Sequence, residues 1–109
     1  MDSILNSIKK LLGIPIEQDN FDTDIIIHIN SVFAVLHQIG VGPSTGFRIT
    51  DENDMWQSFT GTNLNIEDVK TYVYLRVRLL FDPPLSSSVL AAMERTVAEL
   101  EWRLLIQAE

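Results

Sequence analysis

Few side chains in this 109-residue chain have the type for chemistry, and none has the spacing. His28 and His37 stand nine positions apart in one helical pattern. That separation puts them on opposite faces, whereas a shared metal needs converging ligands such as an i, i+4 pair. Ser86-Ser87-Ser88 offers hydroxyl groups, but no glycine elbow surrounds them and a helix cap accounts for them. Asp51, Glu52 and Asp54 resemble a calcium loop only superficially, because the glycine and the bidentate glutamate that should follow are missing. The absence of cysteine removes thiolate nucleophiles, disulfides and thiolate metal sites together. The chain therefore reads as something other than an enzyme, with no catalytic residue, cofactor or metal expected.

Recognition of nucleic acid is also disfavoured. Fifteen acids against eight bases give a formal charge of −7, and phosphate binding draws its affinity from clustered lysine and arginine. A helix-turn-helix reader needs basic side chains where its recognition helix begins, but every predicted helix start here is acidic or neutral. The glycines of Gly40 to Ile49 lack the Gly-Lys-Ser/Thr ending of a phosphate-cradling loop and follow no strand.

The informative side chain is Arg76. It projects from the middle of the apolar arc of a predicted helix, between Tyr72 and Leu80. An unpartnered buried guanidinium is very costly, so Arg76 must meet a carboxylate within the fold, with Glu94 and Glu101 the nearest candidates, or emerge at a contact with another chain.

The elements that hold it follow from periodicity. Ile4, Leu5, Ile8, Leu11 and Leu12 mark a short first helix, capped by Asp2 or Ser3 and closed by Gly13 and Pro15, with Lys9 and Lys10 favoured by the helix dipole in its last turn. Asp22 is read as the cap of a second helix, with Phe21 stapled to Ile26, and Ile25, Ile29, Val32, Leu36 and Ile39 form its core face. Gly40 to Ile49 is a loop, either a plain surface connection or a projecting contact loop around Val41, Gly42, Pro43 and Phe47. A short helix is expected from Thr50 through Phe59, broken by Thr60 to Asn63. Asn65 then caps a helix to Phe81, with Leu64 stapled to Val69 and with Ile66, Val69, Val73, Val77 and Leu80 on one side. Asp82-Pro83-Pro84 forces a turn. Ser86 caps the last helix, Leu85 staples to Leu90, and Leu90, Met93, Val97, Leu100 and Leu104 let this arm lie along its predecessor. The prediction is an all-α, single-domain bundle of four to five helices over residues 1–109, ending in an antiparallel helical hairpin.

Leu104, Leu105 and Ile106 cannot all face one core, so with Trp102 they leave apolar surface to be covered. Tyr72, Arg76, Trp102, Leu105 and Ile106 are the expected contacts with another subunit. No apolar run approaches the ~20 residues that span a bilayer, and the first residues lack the pattern of a secretion signal, so a soluble protein without membrane contact is expected.

The hairpin Thr71-Tyr72-Val73-Tyr74-Leu75-Arg76-Val77-Arg78-Leu79-Leu80-Phe81-Asp82-Pro83-Pro84, with Met93-Glu94-Arg95 and Glu99-Leu100-Glu101-Trp102-Arg103-Leu104 after it, resembles the small head-tail connector (adaptor) proteins of tailed bacteriophages and prophages. The similarity extends to Phe21 through Gly42. It implies a helical protomer of the virion, made and assembled in the cytoplasm of the bacterial host. It further implies a homo-oligomeric ring beneath the portal protein that extends the DNA channel and receives a tail-completion or stopper protein, with DNA as passing cargo. The alternative is a helical-bundle protein-binding or regulatory module acting as a dimer.

Overall fold

The computed structural model describes residues 3–60 and 66–108. Five helices follow one another: α1 Ile4–Leu12, α2 Asp22–Gln38, α3 Trp56–Thr60, α4 Ile66–Phe81 and α5 Ser87–Ala108. Among the described residues there is no strand, only an isolated bridge between Ser3 and Met55. The all-α bundle expected from the periodicity is what forms.

α4 is the hub, packing against α1, α2 and α5. Its Val69, Tyr72, Val73 and Val77 are buried, and they meet Ile25, Ile29, Val32, Phe33 and Leu36 of α2, Ile4, Leu5 and Ile8 of α1, and Val97, Leu100 and Leu104 of α5 in one core. The whole measures 36 × 35 × 20 Å, so its short dimension holds two helix layers of about 10 Å each.

Local signals set most boundaries. Ser3 caps α1, its Oγ accepting from the Asn6 N–H at 3.2 Å. At the other end Gly13 turns left-handed at φ 82°, its N–H donating to Lys10 O and that of Ile14 to Lys9 O, a Schellman closure. α2 closes the same way through Gly40 and Val41.

Other expectations are corrected. Asp22 does not cap α2: Phe21 precedes the helix without a side-chain cap bond, and Asp22 is its first residue. The Phe21 ring packs edge-on against Phe81, with centroids 5.6 Å apart. Thr50 does not open a helix. Asp54 Oδ2 instead accepts from the Thr50 and Asp51 N–H groups at 2.7 and 3.2 Å, a local turn that competes with helix formation until Trp56. Leu80 is 53% exposed and Leu85 fully so, which removes Leu80 from the core and Leu85 from any staple. The start devices proposed for α4, Leu64 and Asn65, lie outside the described residues, as do Asp2 and the break from Gly61 to Asn63.

The hairpin is packed along less of its length than its stripe pattern suggests. Among the described residues of α5 only Val97, Leu100 and Leu104 are buried, while Leu90 and Met93 are half-buried and no residue of its first ten is fully covered. The second half of α5 thus carries the packing on α4.

Candidate subunit-interaction surface

Tyr72 and Arg76 sit one turn apart on α4, and both reach Glu101 of α5. The Tyr72 hydroxyl donates to Glu101 Oε2 at 2.7 Å, and Arg76 Nη1 donates to the same oxygen at 3.2 Å. The guanidinium carbon lies 5.8 Å from the Tyr72 ring centroid, within cation–π range. Tyr72 itself is fully buried. Burial, then the bond to Glu101, pushes its phenol well above the ordinary tyrosine range, with the Arg76 charge acting in the opposite sense. Arg76 and Glu101 stand at the edge of the seam, 33% and 37% exposed. The guanidinium therefore finds its partner within the chain, and of the two carboxylates considered it is Glu101.

One residue beyond Glu101 the surface turns apolar. Trp102, Leu105 and Ile106 are 65%, 39% and 47% exposed, while Leu104 between them is fully buried. The helical period explains the split, since 100° per residue cannot bring three consecutive side chains to one core. So α5 presents a large uncovered apolar patch beside a fixed polar seam.

In the loop after α2, Val41 is not one of the outward apolar points. Val41 is 2% exposed and Ile49 fully buried. Phe47 is half-buried in an aromatic cluster, its centroid 5.2 Å from Phe33 and 5.3 Å from Phe59. Gly42 and Pro43 are half-buried at the lip. Val41 therefore belongs to the core, because burying it and Ile49 removes apolar surface from water that a projecting loop would leave wet.

The remaining polar residues have local explanations. His28 is half-buried beside the Phe81 ring at 6.3 Å, and His37 lies exposed near Gly46. Ser86 Oγ accepts from the Val89 N–H at 3.4 Å, the expected cap. Asp54 also accepts from the Thr50 hydroxyl, and the backbone N–H of Thr50 is the main influence holding its carboxyl below the usual range. Among the described residues no three histidine, cysteine or acidic side chains cluster as a metal site would.

The family model described as phage connector protein matches residues 4–109. The chain belongs to the phage connector family. Comparisons with curated proteins and with solved structures return no significant match. The family is a structural one of the phage particle, which makes this connector a virion component. No helix of the described residues is long and apolar enough to cross a membrane.

Two side chains important to the connector's shape escaped the sequence reading. Lys9, 1% exposed, donates to the carbonyls of Ile16 and Gln18 at 2.9 and 2.8 Å and forms an ion pair with Asp22 at 2.8 Å. It ties α1, the following connection and the start of α2 together. Its position, four residues after Leu5 and three before Leu12, already placed it on the apolar arc. Asn30 grips Ile49 in both senses, its Nδ2 donating to Ile49 O at 3.0 Å and its Oδ1 accepting from the Ile49 N–H at 2.7 Å. Nothing local announces that clamp.

Proposed function

We propose that this connector is the head-tail adaptor subunit that assembles as a homo-oligomeric ring beneath the portal protein, extends the DNA channel during packaging and receives a tail-completion or stopper protein. The observation that carries the reading is the uncovered patch of Trp102, Leu105 and Ile106 near the end of α5, beside the buried Leu100 and Leu104. A ring closes through a heterologous contact, in which each subunit offers one patch and covers a different one on its neighbour. The net charge of −7 suits a channel wall, because repulsion lets DNA slide where a basic wall would release counterions and hold it. Assembly would take place in the host cytoplasm, with DNA as cargo only.

Negative-stain microscopy and sedimentation of the purified chain, alone and mixed with the portal of its own phage, test this. Rings in either condition support it. A chain that stays monomeric in both sinks it, and a stable two-subunit particle favours the dimeric regulatory module instead.

A further inference from the structure

We infer that the exposed end of α5 in one subunit seats in a groove along α2 of the next copy, an assignment that rests on the ring reading and specifies its interface. The groove is lined by Ile27, Asn30, Ser31, Ala34, Phe47 and Arg48. Its small residues, Ser31 and Ala34, leave room for large side chains. Ile27, on its edge, is 57% exposed, the most exposed large apolar residue of α2.

The groove is built in advance. Asn30 fixes Ile49, the next residue after Arg48, by its two hydrogen bonds, and Phe47 packs edge-on against both Phe33 and Phe59. A wall already ordered in the free subunit loses little freedom on binding. The occupant is set by shape and charge. Trp102, Leu105 and Ile106 supply large apolar side chains to fill the space left over Ser31 and Ala34, between Ile27 and Phe47.

Two copies that each carry −7 repel one another, so contact is favoured where a cation of one meets an acid of the next. Arg48 is exposed and has no ion-pair partner among the described residues. Glu99, one turn before the patch on α5, pairs among the described residues with Arg103 at 3.4 Å, Glu99 being 61% and Arg103 50% exposed. An exposed pair of that kind contributes little and can exchange partners. Arg48 of one subunit meeting Glu99 of the next would set the register of the patch in the groove.

The absence of cysteine makes the test direct. A chain carrying both Ser31→Cys and Ile106→Cys is assembled, alone or on portal, and oxidised. A ladder of covalent oligomers on non-reducing gels, absent from each single variant, is expected. Rings seen by microscopy without a ladder overturn this pairing and leave the ring reading standing. Absence of rings in every condition, for the unmodified chain as well, overturns both, and a covalent dimer without higher species overturns the head-to-tail arrangement. In parallel, Arg48→Glu is expected to reduce the assembled fraction at least tenfold with an unchanged helical spectrum. Adding Glu99→Arg to that chain should restore assembly. Unaltered assembly of the single charge variant counts against the register.

Discussion

The Tyr72 hydroxyl and the Glu101 carboxylate meet at 2.7 Å across the α4–α5 seam, so a fully buried phenol is satisfied by an acid that itself stands at the edge of solvent. Removing the donor should be felt globally. A hydrogen bond to a charged group contributes about 1.5–3 kcal/mol, and partial exposure of Glu101 places Tyr72→Phe toward the lower end. Glu101→Ala should cost more, because it leaves both the phenol and Arg76 without their acceptor. Urea unfolding followed by circular dichroism measures both. A Tyr72→Phe variant as stable as the parent would mean that this bond contributes nothing.

The same pair predicts an alkaline limit. The folded state holds the Tyr72 proton more tightly than the unfolded chain, since burial and Glu101 raise its pKa. The associated stability is complete below the unfolded value of about 10 and declines as pH rises above it, by up to about 1.4 kcal/mol per pH unit. Tyr72→Phe should flatten that decline between about pH 10 and 11. Parallel slopes for the two proteins over that window would contradict it.

Lys9 should be the most costly surface-type residue to lose. Replacing it by alanine deprives Asp22 and two backbone carbonyls of their cation inside the fold. Breaking a buried pair costs about 3–5 kcal/mol, and because Asp22 keeps some exposure a value near 3 is expected. Lys10→Ala, one position on and exposed, should change stability by less than about 0.5 kcal/mol. Equal denaturation midpoints for the two variants would refute the pin.

Lys9 also marks where local sequence reasoning stopped. The core face of α2, Ile25, Ile29, Val32 and Leu36, was legible because one helical period fixes which side chains share a face. The three oxygens around Lys9 come from Ile16, Gln18 and Asp22, and two of them are backbone carbonyls that every residue carries. No pattern of residue types points to them. Arg76 was different, since a guanidinium in an apolar arc demanded an acid, and Glu101 was among the few within reach. Leu80 and Leu85 went the other way: their apolar character suggested burial, but the packing of α5 on α4 centres on Val97 to Leu104 and leaves the turn uncovered. The exposed α5 patch was legible as surplus. The α2 groove was not, because Asn30 and Ile49 are nineteen residues apart in the chain.

Gly42 and Gly13 offer a paired test of the loop. Both have positive φ, 94° and 82°, so alanine is strained at either, by about 1–2 kcal/mol. A Cβ at Gly13 meets nothing within 4 Å, whereas one at Gly42 would lie 2.5 Å from the Phe59 ring. Gly42→Ala must therefore also displace Phe59 from its stack with Phe33 and Phe47, and should cost at least about 1 kcal/mol more than Gly13→Ala. Thermal unfolding of the two variants compares them, and equal losses would show that the ring yields freely.

Asp54 should make the turn before α3 sensitive to acid. Its carboxylate accepts from the N–H groups of Thr50 and Asp51, and the bond from Thr50 is the main reason its pKa is lowered. A depressed folded pKa means stability that is present above the unfolded value of about 3.9 and is lost as pH falls below it. Asp54 O also accepts the Ile4 N–H at 3.0 Å, so loosening this turn loosens the docking of α1. Asp54→Asn keeps an acceptor but cannot titrate, so it should be less stable than the parent at neutral pH and lose less on acidification. Amide exchange of Thr50, Asp51 and Ile4, followed from about pH 5 to pH 3, should show the parent approaching the variant. A constant difference between the two across that range would remove Asp54 as the titrating group.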